Sequence, residues 1–243
     1  MSTATQPVRQ GASESPPALS ALDAACQLLA TDWSPWHMVL SGLSWPDYRR
    51  LLDAREDAGR KAVRITYANG EAEIMTVGTL HERWKRMLAA LVDIYLVESH
   101  IPCMPCGGMT IDREDADRGF EPDECYYIRP TPKLLELRQL DFATDPPPDL
   151  AIEVEMSRRV IGRLPIYALF GIPEVWRFDG KQVRVLLLQP DGTYRAGASV
   201  ALPEFPFAEV PRFLQLAETL DYGSISRQFR DWFHSTLPPK PSV

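Results

Sequence analysis

The stretch DLAIEVE at positions 149–155 predicts a β-strand whose two faces differ in chemistry. Side chains alternate across a strand, so Leu150, Ile152 and Val154 share one face, and this apolar face is expected to pack into a core. Glu153 lies on the other face, in the middle of the strand. A carboxylate in apolar surroundings costs free energy unless a partner neutralises it, and a hard cation such as Mg²⁺ is a natural partner.

A second carboxylate comes from the sequence EPD at 121–123. Asp123 is predicted to open a strand that runs to Ile128. If this strand is a neighbour of the predicted 149–156 strand, Asp123 and Glu153 can converge on one ion, and their repulsion should raise at least one pKa in the absence of metal. The spacing is equally compatible with an aspartate that only forms the turn before a strand.

Around these two strands, the hydrophobic pattern predicts an α/β (α+β) fold, a mixed β-sheet flanked by helices. The clearest helix spans 79–98, because its apolar residues recur at helical spacing, and Thr79 and Glu82 fit a capping box at its start. Asn69-Gly70 predicts a tight hairpin. The other predicted elements are helices at 22–30, 45–55, 164–170, 209–220 and 224–233, and strands at 62–68, 71–76, 107–113, 174–179 and 182–189.

The chain has 243 residues and a formal net charge of −7. Phosphate contacts need clustered Lys and Arg, so a broad basic DNA-binding face is not expected, whereas a local basic groove is compatible with this charge. No membrane span or signal peptide is evident, so a cytoplasmic protein without a membrane partner is expected. Tails at 1–20 and 237–243 are predicted to be disordered around a single domain at 21–236.

The four cysteines are Cys26, Cys103, Cys106 and Cys125. Cys103 and Cys106 form one CxxC pair, whereas a structural zinc site usually needs four ligands. No histidine lies near this pair with the spacing of a zinc ligand. We therefore expect reduced thiols in a cytosolic protein, with neither zinc nor a disulfide.

Six stretches form a further pattern: GLSWPDYRRLL (42–52), ITYANGEAEIM (65–75), HERWKRML (81–88), GFEPDECYYI (119–128), PPPDLAIEVEMS (146–157) and LPIYALFGIPEVWRFDG (164–180). Together they resemble the Uma-two family of restriction-endonuclease-like proteins, over roughly residues 39–215. The family belongs to the PD-(D/E)XK nuclease superfamily. The resemblance therefore implies a restriction-endonuclease-like domain that acts on nucleic acid, with DNA as the expected substrate.

The resemblance also implies roles for particular residues. Asp123 and Glu153 would be the two acids of the nuclease motif, and they would hold Mg²⁺ or Mn²⁺ together with the carbonyl of Val154. Glu82 matches an acid that the family places early in its first long helix, although the capping box explains it equally well. The implied reaction is metal-assisted hydrolysis of a phosphodiester.

One departure from the family pattern concerns the cation of the motif. The Lys of the plain motif would fall at Glu155, which we expect to be a solvated strand end. In the family, a Lys four residues before the Tyr of a K-x-x-x-Y pattern is thought to take its place. That Tyr corresponds to Tyr167, so the equivalent position is Arg163. An Arg there implies weak activity, with a role in orienting water or stabilising negative charge.

Two classes of function therefore remain open. One is a metal-dependent endonuclease, in which Arg158 and Arg159 are candidates for phosphate contact, although the same pair fits a solvated turn equally well. The other is a non-catalytic nucleic-acid-binding or scaffold protein that retains the nuclease fold. His81 is expected to be a surface or capping residue or, at most, a residue that supports the carboxylates from behind, rather than a catalytic base. A homodimer is compatible with the first class, since cutting both strands of a duplex usually needs two sites.

Overall fold

The computed structural model describes residues 20–32, 36–60, 62–156 and 159–236. The strands in this part of the chain are β1 (His37–Ser41), β2 (Val63–Ala68), β3 (Glu71–Thr76), β4 (Cys103–Pro105), β5 (Ile111–Arg113), β6 (Arg118–Phe120), β7 (Glu124–Ile128), β8 (Leu150–Val154), β9 (Glu174–Phe178), β10 (Val183–Leu188) and β11 (Tyr194–Ala196). The helices are α1 (Ala21–Thr31), α2 (Trp45–Asp57), α3 (Thr79–Glu98), α4 (Pro132–Glu136), α5 (Leu164–Leu169), α6 (Val210–Leu216) and α7 (Tyr222–Thr236).

The strands form two sheets rather than one. The first sheet has the order β1-β3-β2-β6-β5, and the second has the order β11-β10-β9-β8-β7-β4. Strands β8 and β9 run parallel, and the other pairs are antiparallel. Helices flank the sheets, so the predicted α+β class is confirmed. Asn69 and Gly70 connect β2 to β3 with φ values of 50° and 79°, as the predicted hairpin requires.

Helix α3 packs against the second sheet through the stripe that the sequence predicts. Its residues Met87, Leu88 and Leu91 share one buried cluster with Leu150, Ile152 and Val154 of β8. The ring of Trp84 meets that of Phe178 edge-on, with centroids 5.4 Å apart. The apolar face of β8 is therefore a core face, and its opposite face, which carries Glu153, is turned away from α3.

The opposite face of β8 borders a second apolar cluster. This cluster includes Ala151 of β8, Phe120 of β6 and Tyr167 of α5. The rings of Phe120 and Tyr167 meet edge-on, with centroids 4.7 Å apart. Strand β6 belongs to the first sheet and β8 to the second, so this cluster packs the two sheets together. Glu153 lies beside it, in contact with Tyr167.

The predicted capping box at the start of α3 is wrong. The N-cap residue is Gly78, which offers no side chain, and Thr79 is the first residue of the helix. The side chain of Glu82 instead approaches Arg64, His81 and Lys85. Because Glu82 does not cap the helix, its carboxylate is available to the site described below.

Several boundaries differ from the sequence-based prediction. The strand predicted at 107–113 begins only at Ile111, and Gly107, with a φ of +62°, lies in the loop before it. Asp123 and Asp149 lie one residue before β7 and β8. The predicted tails lie, except for Ser20, outside the described residues. No helix in the described ranges is long and apolar enough to cross a membrane.

Candidate active site

Asp123 and Glu153 come from neighbouring strands, as the sequence predicts. Strands β7 and β8 pair Glu124 with Ile152 in an antiparallel register, and extending that register by one residue places Asp123 opposite Glu153. Both side chains are buried, with exposed fractions of 0% and 2%. The fold therefore brings two carboxylates together in a place where each needs a compensating charge or hydrogen bond.

Asp123 has one engaged oxygen and one without a hydrogen bond. Its Oδ2 accepts a hydrogen bond from the backbone N–H of Val154 at 2.8 Å and lies 3.1 Å from Nε2 of His81. Its Oδ1 is buried and has no hydrogen-bond partner among the described residues. The guanidinium of Arg64 is close to Oδ1, with its Nε 4.0 Å away.

His81 is buried, so it is not a surface residue, and it contacts Asp123 in the supporting role that the sequence left open for it. Its Nδ1 lies 3.4 Å from Oε1 of Glu82, and its Nε2 faces Asp123. Burial lowers the pKa of His81, but hydrogen bonds and charge from Asp123 and Glu82 outweigh this and raise it to about 9. At neutral pH, the imidazole is therefore protonated and bridges the two carboxylates.

The pKa of Asp123 moves opposite to the direction expected from carboxylate repulsion. Burial alone raises it, but the hydrogen bond and charge of His81 and the charge of Arg163 lower it to about 2. The prediction that two close carboxylates would repel each other ignored these cations. Asp123 is therefore ionised throughout the physiological range.

Glu153 is held by three side chains. Its Oε1 accepts hydrogen bonds from Nη1 of Arg163, at 2.6 Å, and from the hydroxyl of Tyr167. Its Oε2 lies 3.4 Å from Nη2 of Arg159. Arg163 comes directly before α5, so this short helix places both Arg163 and Tyr167 against β8.

The guanidinium of Arg163 also ties the two sheets together. Its Nη1 donates to the backbone carbonyl of Glu121 at 2.9 Å, and its Nη2 donates to Oγ1 of Thr66 on β2 at 3.2 Å. Glu73 on β3 fixes the segment that leads to Arg163, since its carboxylate accepts from the backbone N–H groups of Val160 and Ile161 at 2.8 and 3.0 Å. The position of Arg163 is thus determined from both sheets.

The model of the family Uma2, described as "Putative restriction endonuclease", matches residues 45–220. The chain belongs to this family. The matched range contains both carboxylates, the hairpin and helices α2 to α6, so the match covers the whole site. A search of the curated proteins finds no significant match.

The Uma2 resemblance implies a divalent metal, and the buried oxygens of this site fit one in part. Oδ1 of Asp123 is buried without a hydrogen-bond partner among the described residues, whereas the buried Oε1 of Glu82 lies 3.4 Å from Nδ1 of His81 and 3.8 Å from Nη2 of Arg64. Mg²⁺ commonly binds through one or two carboxylates and keeps several waters. Glu153 already contacts two arginines and a tyrosine. Accordingly, no cluster of three or more His, Cys, Asp or Glu side chains in the described ranges is arranged around one position.

At least three cavities border the site of this Uma2 protein, and the two larger ones contain most of its charged side chains. A cleft of about 700 Å³ has Glu82 and Arg64 in its wall, and further cations from Arg55, Arg60 and Lys85 line it. Most of these cations contact carboxylates, such as Arg55 with Glu121 at 2.5 Å. The cleft therefore forms a local groove of mixed charge.

A smaller cavity, of about 380 Å³, opens on the other side of the site, at Glu153. Arg159, Arg163 and Arg177 line it, and Arg177 forms an ion pair with Glu155. Of the two predicted phosphate-contacting residues, Arg159 thus borders the site, and Arg158 lies outside the described residues.

Sequence reasoning missed several residues of this site. Thr66, Glu73 and Glu121 contribute through contacts that cross between the sheets, and no local pattern reveals such contacts. One sequence feature could have indicated the role of His81: this residue is adjacent to Glu82 in the first turn of the longest helix. Because α3 places its first turn over the end of β8, the His-Glu pair reaches Asp123.

Proposed function

We propose that this chain is a Mg²⁺- or Mn²⁺-dependent endonuclease that hydrolyses phosphodiester bonds of DNA. The observation that carries the proposal is the buried, ionised Asp123, whose Oδ1 has no hydrogen-bond partner among the described residues. Such an oxygen costs free energy in a metal-free protein, and a cation would compensate for it. Membership of the Uma2 family supports the same reaction.

Asp123, Glu153 and the carbonyl of Val154 would hold the ion, with Glu82 as a further carboxylate on the side of the larger cleft. When bound, the ion supplies Lewis-acid activation of the scissile phosphate and of the attacking water. For Glu153 to bind the ion, its contact with Arg159 must break, because both of its carboxylate oxygens are already engaged. An incoming phosphate would offer Arg159 charge-assisted, bidentate hydrogen bonds in place of the 3.4 Å contact to Glu153.

Arg163 and His81 would act as cations rather than as bases. A guanidinium remains protonated at any working pH, so Arg163 can stabilise charge or orient a phosphate but cannot accept a proton. The pKa of His81, about 9, keeps its imidazole protonated as well. Without a general base among these groups, the proposed reaction is slow, in keeping with the replacement of the family's Lys by Arg.

The engagement of Glu153 favours a second candidate, a non-catalytic nucleic-acid-binding or scaffold protein. In that case, the arginines would neutralise Glu153 permanently and no metal would enter. Metal binding distinguishes the two candidates. The experiment is a calorimetric titration of Mg²⁺ and Mn²⁺ into wild type, Asp123→Asn and, as a matched control, Asp93→Asn, whose carboxylate accepts a hydrogen bond from Tyr126 away from the site.

We expect wild type and Asp93→Asn to bind the ion equally and Asp123→Asn to lose binding while keeping its circular dichroism spectrum. Wild type that binds neither ion, alone or with a DNA duplex present, would refute the nuclease proposal and favour the scaffold. A homodimer belongs to the nuclease proposal, since duplex cleavage takes two sites, and sedimentation of the protein with DNA would reveal it.

A further inference from the structure

Cys106 and Cys125 lie opposite each other where β4 meets β7. The two strands pair Pro105 with Tyr126, and extending this antiparallel register by one residue pairs Cys106 with Cys125. The backbone confirms the extension, because the N–H of Cys106 donates to the carbonyl of Cys125 at 2.9 Å. Residues directly opposite in an antiparallel pair share one face of the sheet, with Cβ atoms about 4.5–5.5 Å apart.

This separation is close to what a disulfide requires. Disulfide-bonded cysteines have Cα atoms roughly 4.4–6.8 Å apart, and opposite residues of antiparallel strands fall in that range. The paired backbones thus already hold the two cysteines at a separation that a disulfide can span. Small rotations of the two side chains would therefore suffice, with no movement of the strands.

The two thiols differ in access to solvent. Cys125 is fully buried, and its thiol donates to the carbonyl of Gly107 at 3.2 Å. Cys106 is half-buried and lines a cleft of about 720 Å³. An oxidant in this cleft would reach Cys106 first and leave Cys125 behind it as the second thiol of the pair.

Cys103, the other cysteine of the CxxC pair, is not placed to bond with Cys106. Cys103 pairs with Ile128 in the register, three residues along the strand from Cys106, so the two side chains lie on opposite faces of β4. Cys103 packs against the cluster below α3, whereas Cys106 faces the cleft. The geometry therefore joins Cys106 to Cys125 rather than to Cys103.

We propose that Cys106 and Cys125 form a reversible disulfide when the protein meets a peroxide. The Cys106 thiol would be oxidised to a sulfenic acid while the peroxide is reduced, with release of water or an alcohol. The Cys125 thiol would then attack this sulfur, forming the S–S bond and releasing the sulfenic oxygen as one molecule of water. A dithiol reductant restores both thiols. The site is independent of the nuclease proposal, because neither thiol contacts the carboxylates.

The experiment is disulfide mapping of the full-length Cys103→Ser variant. Trypsin places Cys106 in the peptide 87–113 and Cys125 in the peptide 119–133, so with Cys103 removed a cross-link between these peptides can arise only from the proposed pair. The protein is treated with hydrogen peroxide, its free thiols are alkylated in denaturant, and the digest is analysed with and without dithiothreitol.

We expect a linked pair of peptides, lighter than their sum by two hydrogens, which dithiothreitol separates. Cys26 should remain alkylated, which serves as the internal control. The same treatment of wild type should give the same link. Full alkylation of Cys106 and Cys125 after peroxide, accumulation of Cys106 as sulfinic acid without a link, or a Cys103–Cys106 link in wild type would each overturn the proposal.

Discussion

Replacing His81 by Gln should remove a pH-dependent part of the stability of the metal-free protein. The imidazolium of His81 lies between Asp123 and Glu82, and its contact with Asp123 is buried. Gln can keep a hydrogen bond to one carboxylate but carries no charge. The variant therefore leaves the negative charge of Asp123 less compensated at every pH at which His81 is protonated.

The magnitude follows from the shift in pKa. The pKa of His81 rises from 6.5 in the unfolded chain to about 9 in the folded protein. A raised pKa stabilises the folded state fully below the unfolded value, and this stabilisation is lost as the pH rises through the folded value. Each pKa unit corresponds to about 1.4 kcal/mol, so the contribution is on the order of 3 kcal/mol and is lost mainly between pH 6.5 and 9.

The assay is urea unfolding of both proteins in EDTA at intervals from pH 6 to pH 10. The difference in unfolding free energy between wild type and His81→Gln should be largest near pH 6 and shrink by roughly 3 kcal/mol by pH 10. His234→Gln is the control: its imidazole contacts Glu98 at an exposed position, and surface ion pairs contribute little. A His81 difference that stays constant across this window would refute the assigned ion pair.

Three further predictions concern the remaining groups. Arg163→Lys should accelerate plasmid nicking, by up to roughly 10²-fold if the site lacks a general acid–base group, whereas Arg163→Ala should slow it. Equal rates for wild type and both variants would mean that Arg163 takes no part in the reaction. In EDTA, Glu153→Gln should lower the free energy of unfolding by about 3 kcal/mol, because the buried Arg163 loses the charge of its partner. Glu155→Gln is the control, since it removes only a half-exposed ion pair and should change this free energy little. Chemical denaturation measures both. Purified reduced protein should contain less than one equivalent of zinc by elemental analysis, and zinc at one equivalent that disappears in Cys106→Ser would show a metal site instead.

The sequence predicted those parts of the fold that depend on local patterns. The Asn69-Gly70 hairpin, the stripe of α3 and the apolar face of β8 each follow from residues close together in the chain. The adjacency of Asp123 and Glu153 was also predicted, since Asp123 directly precedes a strand of fitting polarity and Glu153 lies in another. These predictions held because turn chemistry and side-chain alternation leave few alternatives.

The parts that failed depend on contacts between distant segments. Thr79 and Glu82 fit a capping box locally, but Glu82 is drawn to Arg64 and His81 in the folded protein. The three-residue strand β4 is too short to give a periodic signal, so the position of Cys106 could not be foreseen. Repulsion between carboxylates was a sound principle, but it was applied without the cations that the fold supplies.

The most direct test of the proposed function is a nicking time course on supercoiled plasmid with Mg²⁺, comparing wild type with Asp123→Asn and with the control Asp93→Asn. The account predicts slow conversion to the nicked circle by wild type and Asp93→Asn, complete suppression by EDTA, and no conversion by Asp123→Asn prepared in parallel. Nicking by Asp123→Asn at the wild-type rate, or no nicking by wild type with either Mg²⁺ or Mn²⁺, would contradict it.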